Sequence, residues 1–454
     1  MTASRAWLAS SLVLGLALVV AVGCDDEEET PTPEPTPETP PASGEGTGED
    51  SDDGDEPPAA SAEIPADLPF GLLLGYSQFV TREGRPTPGA ARLEMLTRSG
   101  GEWHVEVLED DTSNVFHKAM VYTPPGAAPG ILTLGAMGAA VKLWRRSGGE
   151  WTSETLWEAE FGGEFDRMRD AEIADLFGDQ WPAIAVATHD QGVVGVIRPS
   201  EDGSFAVTEI DRRANTFVHE IEIGDLNGDG TLEVYATPSE PNNLDGGAQH
   251  GEVVRYVPGS GEGRQVVADL GSRHAKEIWV GDVDGDGRDE LYVAVEALTE
   301  GRDPNVIIRE PVEIRRYEAD TPADQGAVIA TIPDRLCRFL TVGDLDGDGQ
   351  NEMVAAAYSS GLWLLRPGRD ANGEWSIERI DRESGGFEHA SIFADLDEDG
   401  RDELYVAADN QGEVRRYVWV NGRPRREVIH SRENARSQMT WNLMPVPASL
   451  VTGQ

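Results

Sequence analysis

The sequence predicts an all-β fold: a seven-bladed β-propeller of four-stranded blades, its first blade closed by the C-terminal strand, preceded by a disordered stalk. Three observations carry this. A motif recurs at spacings of 50 to 62 residues, each repeat holds four strand-like segments, and two leftover strands at opposite ends of the chain fit one another.

The chain opens with a short polar segment carrying one positive charge, Arg5, and then an apolar run from Ala6 to Val22 that ends in Ala21-Val22-Gly23-Cys24. This resembles a bacterial lipoprotein signal, in which residues 1–23 are removed and Cys24 is lipidated to become the new N-terminus. Residues 24–67 follow with sixteen acids, no base and many prolines. A segment with so little to bury stays disordered, and self-repulsion with proline stiffness extends it at roughly 3 Å per residue. The reading is an exported protein, lipid-anchored at the bacterial cell envelope, outer membrane or cell surface, with the membrane reached only through that anchor.

From Leu68 the chain repeats. The clearest copies are IGDLNGDGTLEVYAT from Ile223, VGDVDGDGRDELYVA from Val280, VGDLDGDGQNEMVAA from Val342 and FADLDEDGRDELYVA from Phe393; IADLFGDQWPAIAVA from Ile173 is an eroded fifth. A short alternating segment precedes each loop and an apolar one follows, as at Leu291-Tyr292-Val293-Ala294-Val295. A Gly-led strand and a fourth strand complete the unit, and period-two alternation with Gly, Pro and Asp punctuation reads as β throughout. Four strands per repeat make one propeller blade. Two further repeats lack the aspartates but keep the outer strands, RSGGEWHVEVL at 98 and RSGGEWTSETL at 146. The first of them has a second strand, FGLLLGY at 70, and no inner one, while MTWNLMPV at 439 is an inner strand with no blade behind it. Pairing these two closes the ring at seven and removes the sheet edges. The propeller is therefore placed at residues 68–447, with 448–454 as a tail.

The aspartate loops put oxygen ligands at positions 1, 3 and 5, glycine at 6 and a carboxylate at 9. A hard cation such as Ca²⁺ needs six to eight oxygens converging on one point, which alternate residues of a tight turn supply. The expected ligands are Asp225, Asn227, Asp229 and Glu233 with the carbonyl of Thr231; Asp282, Asp284, Asp286 and Glu290 with that of Arg288; Asp344, Asp346, Asp348 and Glu352 with that of Gln350; and Asp395, Asp397, Asp399 and Glu403 with that of Arg401. About four Ca²⁺ are expected. An EF-hand is excluded, because it needs a bidentate Glu at position 12 between helices, and that position holds Ala236, Val293, Ala355 and Val406 ahead of a strand. A metal-free Asp/Gly turn is the alternative, and four near-identical copies speak against it. The fifth loop, led by Asp175, has Phe177, Gln180 and Ala183 where ligands or glycine belong and is expected to hold no metal.

These loops and their flanking strands resemble the FG-GAP/VCBS repeats of integrin-α-type seven-bladed propellers, nearer to the bacterial VCBS variety. The resemblance implies Ca²⁺ in the hairpin between the first and second strands of several blades, and ligand binding on the opposite face. It carries the fold and not the function.

Counting six residues back from each leading aspartate gives Arg169, His219, Lys276, Arg338 and His389, which should ring the mouth of the central channel opposite the calcium loops. One reading is a site for an anion or acidic polysaccharide. The other, favoured here, is ion pairing between blades, with Asp170, Glu220 and Glu277 as the partners. Trp103, Trp151 and Trp375, and the pairs Arg255-Tyr256, Arg316-Tyr317 and Arg416-Tyr417, recur at equivalent strand positions and read as packing residues, and Cys337 reads as a small buried hydrophobe.

The chain carries 83 acidic against 37 basic residues, a net charge of −46, which excludes duplex nucleic acid as a partner. No catalytic constellation is present, so no catalytic residue is named. The leading expectation is a surface-displayed, calcium-stabilised, non-catalytic binding or adhesion propeller, monomeric, for a protein or glycan partner. The alternatives are a polysaccharide lyase or hydrolase acting at the channel mouth, and a structural scaffold of an envelope complex.

Overall fold

The computed structural model describes residues 63–453 apart from 83, 164–165, 190, 241–248, 302–304, 369–374 and 433–436. The signal, Cys24 and the linker to residue 62 lie outside the described residues, as do Gly373 and Glu374 of the GEW echo in the sixth blade.

Seven antiparallel sheets form the blades of a propeller ring. Six are consecutive in sequence, as in the fourth, Phe217–Gly224, Glu233–Glu240, His250–Tyr256 and Gln265–Asp269. The first is composite: strand Phe70–Arg82 pairs on one side with Ala91–Ser99, which leads to Glu102–Asp110, and on the other with the C-terminal strand Gln438–Pro447. The register runs from Phe70 opposite Pro447 to Gln78 opposite Gln438, with one shift between Gly75 and Tyr76. The C-terminal strand is thus the inner strand of the first blade, as the two leftovers required.

Apolar residues sort to the interfaces between blades. The described residues form seven buried hydrophobic clusters, one at each junction. The junction of blades seven and one, for example, brings Leu72, Leu74 and Leu443 against Tyr405, Ala407 and Val414. At roughly 1.5–3 kcal/mol for each large side chain fully buried, these interfaces hold the ring together without a disulfide; Cys337, the described cysteine, is free and buried. Trp375 is likewise buried, and Trp103 and Trp151 pack against interface clusters.

Two segments left as linker and tail in the sequence reading are built onto the first blade. Residues 63–68 run along the 98–101 hairpin, with Leu68 N donating to Arg98 O at 3.2 Å, Gly101 N to Ala66 O at 2.8 Å, and Ile64 packed into the cluster between blades seven and one. Helix Ala448–Thr452 follows the closing strand and buries Val451. Insertions depart from the plain blade too: a small hairpin, Leu298–Glu300 with Ile307–Glu310, sits between the second and third strands of the fifth blade.

Closure has a polar lock. Asp409, at the end of the seventh blade's second strand, accepts from Thr440 N at 2.8 Å, from Thr440 Oγ1 at 2.6 Å and from the buried Arg432 Nη2 at 2.6 Å. Asp409→Ala strands a buried guanidinium and frees the closing strand, a loss of about 3–5 kcal/mol. Urea unfolding measures it, and a change below about 1 kcal/mol would place the closure elsewhere.

Candidate metal loops and the central cluster

The calcium-type loops connect inner to second strands in blades four to seven, and one conformation serves them all. The first aspartate is an acceptor for the turn: Asp229 N and Gly230 N donate to the two oxygens of Asp225 at 3.0 and 2.7 Å, and the same pair of bonds recurs at Asp282, Asp344 and Asp395. The fifth-position aspartate takes the N–H of residue seven, as from Thr231 N to Asp229 at 2.8 Å. Left-handed backbone is needed twice, at position 6 and also at position 4. Gly228, Gly285 and Gly347 fill position 4 with φ near +70°, and Glu398 takes the same conformation at φ +58°. The sequence reading missed this second reversal, although the Gly-x-Gly spacing at residues 228–230, 285–287 and 347–349 signals it.

Three of the loops bring carboxylates to within 4.8 Å of one another: Asp282, Asp284 and Glu290; Asp344, Asp346 and Asp348; Asp395, Asp397 and Asp399. In the 225 loop Asn227 Nδ2 donates to Glu233 Oε1 at 2.8 Å, drawing positions 3 and 9 together. Crowded, half-buried carboxylates hold protons more tightly: burial first, then the neighbouring anions, push Glu290 and Glu352 up to about 7. Glu233, Asp284, Asp397 and Glu403 shift the same way, again chiefly through burial. Asp346 Oδ1 is buried with no hydrogen-bond partner. An orphaned acceptor among oxygens of this kind fits a hard cation, so these residues are a chemically suitable set for Ca²⁺.

A third-strand arginine reaches each ninth-position carboxylate: Arg255 to Glu233 at 2.6 Å, Arg316 to Glu290 at 3.2 Å, Arg366 to Glu352 at 3.5 Å and Arg416 to Glu403 at 2.6 Å. The tyrosines that follow three of these arginines are buried at blade interfaces, and Tyr256 and Tyr417 donate to Asp211 and Asp381 of the preceding blade at 2.5 and 2.6 Å. In the third blade, where position 9 is Ala183, Arg198 turns to Asp179 at 2.5 Å and lies 4.2 Å from the Phe177 ring. The degenerate loop keeps its turn, with Gln180 at φ +67°, and carries its own internal cation.

Residues 344–423, from the loop of the sixth blade to the outer strand of the seventh, match the model of the FG-GAP-like repeat. That stretch is an FG-GAP-like segment within a seven-bladed ring. No curated protein matches the chain. Among solved structures, it is similar to a candidate 6-phosphogluconolactonase of Bacteroides fragilis at 13% identity, over 85% of this chain and 100% of that one, with a TM-score of 0.50. It is also similar to one of Bacteroides uniformis, at 13% identity over 84% and 100% of the two chains, with a TM-score of 0.49. At this identity the likeness concerns the fold alone. An FG-GAP-like propeller suits a binding or scaffold role.

The five ring residues lie at or just before the starts of inner strands, as counted, and all are buried. Four meet in one network. Arg338 bonds Glu296 at 3.0 Å and Glu388 at 2.8 Å, Arg169 reaches Glu388 at 3.4 Å and His219 at 2.9 Å, and Lys276 lies 4.0 Å from Glu296. His389 stands apart, bonded to Ala357 O and to Ser384 Oγ at 2.7 Å each. Ion pairing between blades is present, in part through an expected acid: Asp170 meets Lys118 of the preceding blade at 2.9 Å. The ring cations themselves are neutralised by Glu296 and Glu388, which no repeat position marks, and Asp170 and Glu277 also accept backbone N–H groups of the next blade's inner strand, Ile221 at 3.1 Å and Leu340 at 3.0 Å. Register shifts interrupt the same inner strands close by, between Val218 and Ile221 and between Cys337 and Phe339. The space left among His117, Arg169, Arg338 and Trp441 is about 30 Å³, room for a water or two and not for a sugar.

Burial and the neighbouring arginines hold the histidines neutral: His117, His189 and His219 lie well below the ordinary imidazole value, and burial takes His389 down to about 4. The unfolded chain therefore binds more protons than the native one below pH 6.5. The stability these groups confer is complete above pH 6.5 and is lost as pH falls towards 4, at about 1.4 kcal/mol per pH unit for each histidine. His389→Asn suits the left-handed backbone there, φ +59°, and should flatten the decline in urea midpoint between pH 6.5 and 4.5 relative to wild type. An unchanged slope would mean that His389 titrates normally.

Proposed function

We propose that this chain is a calcium-stabilised, non-catalytic binding propeller, lipid-anchored through Cys24 at a bacterial cell envelope and monomeric, which presents the face opposite its metal loops to a protein or glycan partner. The observation that carries the reading is the separation of the two faces. Strand direction puts the metal loops at the end where inner strands finish, and residues 63–70 enter at that same end, with Phe70 N donating to Leu396 O of the last loop at 3.4 Å. The described start of the chain and the acidic loops thus share one face. The other face has half-buried Trp441, Phe387 and Tyr358 beside cations, with Arg338 4.2 Å from the Phe387 ring and Arg335 4.7 Å from that of Tyr358. Aromatic rings flanked by arginine favour recognition of sugars or of protein side chains.

The lyase or hydrolase alternative finds no support in the channel, where its candidate residues are buried and held by Glu296, Glu388, Ser384 and backbone carbonyls. Calcium acts structurally in this reading: the four loops would hold it through the side chains and carbonyls named above, and it would neutralise their clustered carboxylates. Each site held at 100 times its Kd adds about 2.7 kcal/mol to the folded state. Chelation with EDTA should therefore lower the melting temperature substantially, Ca²⁺ should restore it and Mg²⁺ should restore it poorly; an unmoved melting curve would refute the calcium role. For the partner, a glycan array and an envelope-protein pull-down with wild type and Trp441→Ala are the test. Retention of a ligand by wild type and its loss by the variant are expected, and equal retention by both would remove this face from the proposal.

A further inference from the structure

The geometry points to a lock between successive calcium loops: the residue at position 8 of one loop holds the backbone of the first ligand in the loop of the preceding blade, so the ions bind cooperatively rather than as independent sites. The inference rests on the calcium reading above and goes beyond it, because position 8 supplies no ligand.

Three contacts of this kind occur at the three junctions where both blades carry a metal loop. Asp289 accepts from Asp225 N at 2.8 Å, Asp402 accepts from Asp344 N at 3.4 Å, and Asn351 donates through Nδ2 to Asp282 O at 3.4 Å. In its own loop each of these residues lies between the seventh-position carbonyl and the ninth-position carboxylate, both expected ligands. An ion in one loop therefore fixes the group that grips the next loop back along the chain.

The residue before the leading aspartate follows the same logic. It is glycine wherever the next blade supplies a position 8 partner, at 224, 281 and 343. It is alanine at 174, where the next loop offers the apolar Leu232, and at 394, after which no metal loop follows. A Cβ on Gly224 would meet Val280 Cγ1 at 2.3 Å and Asp289 Oδ2 at 3.2 Å, and one on Gly343 would meet Phe393 Cγ at 2.6 Å and Asp402 Oδ2 at 2.9 Å. Glycine lets the next blade's inner strand and its position 8 carboxylate approach together. Electrostatics gives the coupling its sign. A further carboxylate beside an empty acidic loop is repelled, whereas beside a loop holding a divalent cation it is attracted. Each ion then favours both the contact and the next ion.

Calorimetric calcium titration of the full chain is the test, with melting curves confirming that each variant folds. Wild type should bind cooperatively. Asp402→Ala should weaken one site roughly fivefold or more without changing the number of ions bound, and Asp402→Asn, which keeps an acceptor oxygen, should retain most of the affinity. The deciding comparison adds Asp402→Ala to a chain whose 344 loop is disabled by Asp344→Asn and Asp346→Asn. No further loss is expected there, since the group on which Asp402 acts no longer binds. An equal loss in that background would mean that Asp402 serves only its own loop, and the lock would be wrong. A wild-type chain that binds no calcium overturns the calcium reading itself, an outcome distinct from calcium binding without coupling.

Discussion

The antiparallel pairing of Phe70–Arg82 with Gln438–Pro447 is the constraint on which the rest depends. A propeller blade buries its faces against two neighbours, so an open ring leaves two blades with one apolar face each in water and two unpaired inner edges. Joining strands more than 350 residues apart in sequence removes all four at once. The entropy of closing so long a loop grows only with the logarithm of its length, while the junction gained between blades seven and one buries an apolar cluster as the other six do. The polar contacts of Asp409 fix which register the closing strand adopts, something apolar contacts alone specify poorly.

Once the ring is closed, the two ends of the inner strands become two different environments. At one end the strands turn back through tight loops that need left-handed residues and many acceptors, and oxygen ligands collect there. At the other they begin with long polar side chains, which must share a narrow space from which most water is excluded. The first end meets the resulting charge by offering a site for a cation and by placing an arginine on every ninth-position carboxylate. The second meets it with carboxylates of its own, Glu296 and Glu388, placed between the cations. Buried ion pairs of this type add little net stability, and breaking one by removing a partner is expensive. Their effect is to fix how the blades are set around the axis.

The fold was legible in the sequence because a propeller repeats its signal: each blade restates the same four-strand pattern, and even the composite blade announced itself through two strands lacking partners. The acidic loops were legible for the same reason, and in the eroded Asp175 loop Arg198 turns to Asp179 instead of to a ninth-position carboxylate. Glu296 and Glu388 were not legible. They lie outside the recurring inner-strand position, and nothing local distinguishes them from the other acids of a chain with 83. The role of Glu277 was misread for a related reason: a one-residue-later acid looks like a partner for the cation beside it, but an inner-strand bulge turns it towards the next blade's backbone, while Asp170 does pair between blades, with Lys118. Bulges depend on tertiary strain and leave no mark in a period-two pattern.

The distribution of negative charge follows from the same division. In residues 24–67 sixteen acids and no base leave the negative charge unbalanced along the sequence. In the propeller, fifteen carboxylates belong to the four metal loops, where they are tolerable only beside arginine or a divalent ion. The start of the first blade meets the last of these loops, with Phe70 N donating to Leu396 O, the residue after the leading Asp395. Charge on this face therefore links the acidic loops to the packing of blades four to seven, and the third-strand arginines are what offset it there.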